Sequence, residues 1–371
     1  MSKTKEVSTT MFSTITPALK ILRPFVAAVL LPALLAVLAI SVAPAPAQEP
    51  PANVAAQKPP DGQSIVSRVD LVNVISTVLN RRQKFVTDLN KTDFHLTEDG
   101  KLQDILFFSR ETDLPLRVGL LLDTSNSIRE RLKFEQEAAI DFLHNTIRRQ
   151  KDQAFLMIFD NEPSIVQDFT DDVSTLTEAI QKQRAGGGTA LYDAVEIASR
   201  KLAEAKLPAG AGNDAVRRVL VVISDGDDNL SAHSRSQSVE SAQRGEVAVY
   251  CISSSTDWVS ASQTSDASKR SDRKLHKTEN DEVLQQFADE TGGRVFFPYK
   301  LDDLAASFQD IGDELRSQYQ LAYAPSNKSF DGKFRRIRVE VERKGLSVRA
   351  RKGYFATRAA NGAPGGAPRP N

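Results

Sequence analysis

The spacing of apolar positions changes character along this chain, and each change marks a different kind of element. Beyond residue 64, Val69 and Leu71, then Phe94, Leu96, Ile105 and Phe107, alternate with polar residues, and Asp99-Gly100 stands between two of these runs where a hairpin turn belongs. Such alternation predicts antiparallel strands with one face buried. From residue 117 the pattern differs: a short, continuously apolar run at 118–122 and apolar strand candidates at 154–159, 164–169, 219–223, 247–252 and 294–297 are separated by segments of helical period at 128–149, 173–183, 191–205, 234–243, 281–290 and 301–317. Strands buried on both faces, alternating with helices, predict an α/β fold: a doubly wound, mostly parallel six-stranded sheet with helices on both faces. The link at 160–163 is too short for a crossover, so the strands it joins are expected to be antiparallel neighbours. After residue 318 period two returns, in Tyr319, Leu321 and Tyr323, and in Ile337, Val339 and Val341 set against Arg336, Arg338, Glu340 and Glu342. Neither β stretch holds enough strands to be stable alone. Residues 64–112 and 319–357 are therefore expected to pair as the two halves of one small antiparallel β domain, with the α/β unit of 115–318 inserted between them. The arginines near Arg336 read as the wet face of an edge-exposed sheet.

The chain ends change the picture. Lys3, Lys5, Lys20 and Arg23 precede an apolar run at 25–42, which Ala45-Pro46-Ala47 follows in the manner of a signal-peptide cleavage site. Residues 1–47 are read as a signal peptide or, because the run is about as long as a short bilayer span, as an uncleaved N-terminal membrane anchor. Either reading exports the body, to the periplasm, the cell surface or the medium. Residues 48–63, rich in proline, alanine and glutamine, read as a disordered linker, and 358–371 as a disordered tail.

Composition then narrows the chemistry. With 371 residues, 40% apolar and 26% charged, there is chain enough for a large core, and 48 lysines and arginines balance 48 aspartates and glutamates, so no global field recruits nucleic acid. A single cysteine, Cys251, excludes an internal disulfide framework and, lying inside an apolar run, reads as core packing. An exported chain without cysteine pairs suits a bacterial envelope. His95, His144, His233 and His276 are scattered and give little material for zinc. Chemistry must come from oxygen ligands or from surfaces.

Oxygen ligands collect at the strand ends, where a doubly wound sheet gathers its ligand-binding loops. The first apolar strand ends in Asp123-Thr124-Ser125-Asn126-Ser127, the run Gly186-Gly187-Gly188 delivers Thr189 to a helix start, and the strand at 219–223 ends in Ser224-Asp225-Gly226. Taken singly, Ser127 and Thr189 read as helix N-caps and Asp225 as a turn residue. Together they read differently, because a carboxylate at Asp123 with no basic neighbour in sequence needs a cation or several donors. Hydroxyls from Ser125, Ser127 and Thr189 with the carboxylates of Asp123 and Asp225 form a hard, all-oxygen shell suited to Mg²⁺, with Mn²⁺ or Ca²⁺ as alternatives. Few of these ligands are charged, so the metal stays electrophilic and an open position seeks an anionic oxygen, such as a glutamate or aspartate of a protein partner.

In order and spacing, Asp123-x-Ser125-x-Ser127, Gly188-Thr189 and Ser224-Asp225-Gly226 resemble the metal-ion-dependent adhesion site of von Willebrand factor type A domains, over about residues 116–317. The resemblance implies that Asp123, Ser125, Ser127, Thr189 and Asp225 are metal ligands and that the activity is metal-dependent protein binding rather than catalysis. The segments at 93–100 and 113–116 also resemble exported bacterial proteins related to that domain, a likeness that brings no function with it. A second reading makes the chain a structural scaffold subunit of an envelope complex, its metal merely fixing loops. Other signals fall away. The stretch from Asp225 has Leu230 and Ser236 where a calcium loop needs glycine and glutamate, and the glycine run lacks the lysine of a phosphate loop. No nucleophile elbow or His-Glu-x-x-His is present, and no general base can be nominated for hydrolysis. Lys269, Arg270, Arg273, Lys274 and Lys277 cluster in a long polar segment at 254–280 with Trp258, and without interleaved aromatics they read as a solvated insertion.

Overall fold

A computed structural model describes residues 71–110, 114–205, 216–254, 279–298 and 301–357. The expected leader, linker and tail, Val69, and most of the 254–280 segment with Trp258 and its basic cluster lie outside the described residues. The N-terminal flank supplies β1 (Val72–Asn80), β2 (Phe94–Glu98), β3 (Lys101–Gln103) and β4 (Ile105–Ser109). The centre follows as β5 (Leu116–Asp123), α1 (Leu132–Thr146), β6 (Gln153–Phe159), β7 (Pro163–Thr170), α2 (Val173–Gln181), α3 (Leu191–Ala203), β8 (Arg217–Ser224), α4 (Arg235–Arg244), β9 (Val247–Ser253), α5 (Glu279–Thr291), β10 (Val295–Phe296) and α6 (Leu301–Arg316). The C-terminal flank adds β11 (Tyr319–Tyr323), β12 (Phe334–Val341), β13 (Leu346–Ala350) and β14 (Gly353–Phe355).

The central strands form a six-stranded sheet in the order β10-β9-β8-β5-β6-β7, parallel except for β7, which turns back against β6. Continuous burial of β5 follows from its position: Leu116, Val118, Leu120 and Leu122 pack with α1, α2 and α6, while Leu121 faces α3, α4 and α5. A parallel sheet covered on both faces leaves its strand ends as the accessible rim, and that rim carries the candidate ligands.

The flanks interleave. In one four-stranded sheet β1 lies between β11 and β13, with β4 on the outer side of β11; in the other β12 lies between β14 and β2. The two share a core of Val74, Val78, Leu96, Tyr319, Leu321, Tyr323, Ile337 and Val339. Every strand of the N-terminal flank except β3 thus pairs with at least one from beyond the central unit.

Several details depart from the sequence reading. Leu71, expected on a buried strand face, precedes β1 and is 43% exposed. A register shift between Ala322 and Tyr323 displaces β4 against β11, so Ile105 and Phe108 turn inward while Phe107 faces solvent. Arg336 and Arg338 do face solvent, but β12 is an interior strand rather than an edge, and its Arg335 is buried against Glu98. β13 shows no alternation of burial and is defined by its pairing with β1. The helix expected from 128 starts only at Leu132, because a 3-10 turn, Asn126–Ile128, first carries the chain across the sheet rim.

Candidate metal centre

β5 and β8 are adjacent and parallel, with Leu122 opposite Ile223, so the residues that end them, Asp123 and Ser224, emerge side by side. The Ser224 hydroxyl donates to Asp123 Oδ2 at 2.7 Å, and the Ser125 amide donates to Asp123 Oδ1 at 2.8 Å. Ser125 Oγ and Ser127 Oγ lie 2.9 Å apart. Neighbouring loops are stitched to this core: Gly186 N–H donates to the Thr124 carbonyl at 2.7 Å, and both the backbone and side-chain amides of Asn126 donate to the Gly187 carbonyl. Thr189 is fixed reciprocally, its amide donating to Asn229 Oδ1 at 3.0 Å and its carbonyl accepting from the amides of Asn229 and Leu230.

Two glycines are required by this geometry. Gly187 has φ +84° where it turns beneath Asn126, and Gly226 has φ +80° with Asn280 so close that a Cβ would sit 2.4 Å from its carbonyl oxygen.

The capping roles that Ser127 and Thr189 would have alone do not apply. Helix α1 has Arg131 at its N-cap and α3 has Ala190, neither with a side-chain cap, and Ser127 lies inside the 3-10 turn. Their hydroxyls are not spent on helix ends. Asp123, Ser125, Ser127 and Ser224 are joined by hydrogen bonds, Thr189 is tied to the loop after β8, and half-buried Asp225 is close enough to Asp123 for their charges to repel.

Asp123 is wholly buried, and among the described residues its hydrogen bonds come from serines, with no basic partner. Burial, opposed by the Ser125 and Ser224 hydrogen bonds and aided by Asp225, pushes its carboxyl up to about 6. One residue that the sequence did not single out joins it. Glu135, in the first turn of α1, is 2% exposed, and among the described residues neither carboxylate oxygen completes a hydrogen bond. Burial pushes it up to about 8, partly offset by Arg131 and reinforced by Asp123 and Asp225; the Ser254 hydroxyl lies near without completing a hydrogen bond. In sequence Glu135 is an ordinary helical glutamate, and only its position beneath the strand ends distinguishes it.

The donor set fits a hard divalent cation. Buried carboxylate charge is only partly offset, by Arg131, and the groups around Asp123 are hydroxyl and carboxylate oxygens. Among the described residues no three His, Cys, Asp or Glu side chains cluster as a metal site. An adhesion-type shell would take three of its five protein ligands from hydroxyls.

Residues 118–227 match the sequence profile of the von Willebrand factor type A domain. This chain contains a von Willebrand factor type A domain. The match starts inside β5 and ends just past the Ser224-Asp225-Gly226 corner, so it spans all the candidate ligands. Solved structures similar to the chain include an aerotolerance-related membrane protein of Bacteroides fragilis (17% identity, 54% of this chain and 98% of that one, TM-score 0.39). A von Willebrand factor type A protein of Catenulispora acidiphila is 10% identical over 77% of this chain and 73% of its own, with a TM-score of 0.41. Proximal thread matrix protein 1 of the mussel byssus, solved with a zinc-occupied adhesion motif, is 15% identical over 59% and 50%, with a TM-score of 0.42. Comparison with curated proteins finds no match. Identities this low say nothing about shared ligands.

Proposed function

We propose that this type A domain is an exported, metal-dependent protein-binding module, in which Asp123, Ser125, Ser127, Thr189 and Asp225 hold Mg²⁺ and a glutamate or aspartate of a partner protein completes the shell. The observation that carries the reading is Asp123: a fully buried carboxylate that accepts from neutral donors, beside a second carboxylate and above a third. Such a cluster is costly without a cation. A bound divalent ion would supply charge compensation and an electrophilic position for a partner's carboxylate. The chain's own part is orientation. Ser224 fixes one oxygen of Asp123, the Ser125 amide fixes the other, and the loops holding Asn126, Asn229 and Leu230 frame the opening. Exposed Asn126, Ser127, Asn229 and Leu230 give that frame a mixed polar and apolar surface for partner choice. We further propose that the flanking strands form a separate domain and that residues 1–47 export or anchor the protein.

The test is thermal unfolding of the full chain with and without Mg²⁺. A ligand at a hundred times its Kd adds about 2.7 kcal/mol to stability. The parent should gain stability in Mg²⁺ and lose it in chelator, while Asp123→Ala should respond to neither; an equal response in both proteins refutes the assignment. Partner capture from an envelope extract should be lost in chelator and in Thr189→Ala.

A further inference from the structure

The rim around Asp123 is unevenly charged. The loop after β8 carries Asp225, Asp227 and Asp228, and the link between β6 and β7 carries Asp160 and Glu162. That link abuts the glycine run, since Asn161 Oδ1 accepts from the Gly188 amide at 2.8 Å. Beside these acidic loops a groove opens between α1 and α2, and its charge is opposite. Arg129, Lys133 and Arg184 line it with a single acid, Glu137.

The groove follows from how α1 meets α2. Leu132, Gln136 and Ile140 recur at every fourth residue and so share one side of the helix. Gln136 Nε2 donates to the Ile180 carbonyl at 2.7 Å and to the Gln183 carbonyl at 3.2 Å, which ties that side to the end of α2. Leu132 and Ile140 are the apolar part of the lining. Arg129, Lys133 and Glu137 recur in the same way on the adjoining, exposed side.

Both walls lead to the metal centre. Arg129 follows the 3-10 turn, and its Nη2 donates to Asn126 Oδ1 at 2.8 Å, while Asn126 itself donates to the Gly187 carbonyl. On the other wall the chain passes from Arg184 and Ala185 into Gly186, whose amide donates to the Thr124 carbonyl. The cations remain available. Arg184 Nη1 donates to the backbone carbonyls of Gln181 and Gln183, and none of the three basic side chains forms an ion pair among the described residues. All three are exposed.

We propose, and this rests on the partner-carboxylate reading of the metal centre, that the groove receives an extended acidic segment of the partner protein. Its leading carboxylate completes the Mg²⁺ shell, its following acidic residues pair with Arg129, Lys133 and Arg184, and an apolar side chain rests on Leu132 and Ile140. The acids of the β8 loop and of the β6–β7 link repel such a segment from their own sides, so charge sets the direction in which it leaves the metal.

The experiment measures fluorescence anisotropy of two labelled peptides with the full chain in Mg²⁺. One is Gly-Ser-Glu-Asp-Leu-Glu-Asp-Leu-Gly; the control keeps its first glutamate and has asparagine or glutamine for every other acid. The acidic peptide should bind about tenfold tighter, a factor of about two for each of three exposed ion pairs, and the advantage should shrink at high salt. The double variant Lys133→Glu with Arg184→Glu should lose that preference yet keep the parent's rise in Tm with Mg²⁺, since neither side chain belongs to the metal shell. A parent that gains stability in Mg²⁺ but binds the two peptides equally overturns the groove and leaves the metal centre standing, as does a double variant that keeps the preference. Acidic-peptide binding that chelator leaves unchanged also overturns the proposal, because the leading carboxylate is then not on the metal. A parent whose Tm ignores Mg²⁺ sinks the metal reading and the groove with it.

Discussion

Glu135→Gln should stabilise the metal-free protein at neutral pH and leave it unchanged in acid. Glu135 is buried and completes no hydrogen bond among the described residues, and its carboxyl is raised from 4.5 to about 8, with burial the largest cause. At pH 7 the unfolded chain carries an ionised glutamate there, whereas the folded chain must keep it protonated. Each pH unit between the two pKa values costs about 1.4 kcal/mol, so from 4.5 to pH 7 the penalty reaches about 3 kcal/mol. The sign follows from the raised pKa: the folded state binds the proton more tightly, so stability falls as pH rises from 4.5 towards 8 and is unaffected below that window. Glutamine is neutral throughout. It replaces one buried, unpaired neutral group by another, so the remaining difference is small. The assay is urea or thermal unfolding of parent and variant in chelator at pH 4.5 and pH 7. Glu135→Gln should raise Tm by about 6 °C at pH 7, with the gain gone at pH 4.5. Equal shifts at the two pH values, or a loss of stability at pH 7, would refute the reasoning that an incompletely compensated acid lies beneath the strand ends. Added Mg²⁺ should shrink the advantage, because a cation near Asp123 and Asp225 favours the ionised Glu135.

Breaking the buried network at the end of α6 should be costlier: Glu314→Ala strands Arg349 and removes the acceptor of Thr77, Tyr250 and Gln318, for a loss of about 3–5 kcal/mol in urea unfolding. Gly226→Ala should cost about 1–3 kcal/mol and blunt the response to Mg²⁺, since a Cβ at φ +80° drives into the Asn280 carbonyl and displaces Ser224 and Asp225 just before it; unfolding with and without Mg²⁺ reads both effects.

Much of this architecture was legible in the sequence, for a local reason. A strand buried on both faces must be continuously apolar, and a helix packed on a sheet must repeat its apolar residues near every third or fourth place. Those periods alone specify the order of strands and helices from β5 to α6, and the short link before Pro163 forces β7 to turn back on β6. Asp123, Ser125, Ser127, Thr189 and Asp225 stood out because each lies just past a strand or a glycine run, where a parallel sheet leaves its loops free. What the pattern could not carry is which elements meet. Which face Phe107 takes rests on a register shift against the partner strand β11, more than two hundred residues away. Glu135 looks like any helical glutamate until α1 packs its first turn under the strand ends. Periodicity records which face of an element is dry; the charge balance of a buried site is a through-space sum over segments distant in sequence, so only the tertiary structure decides it.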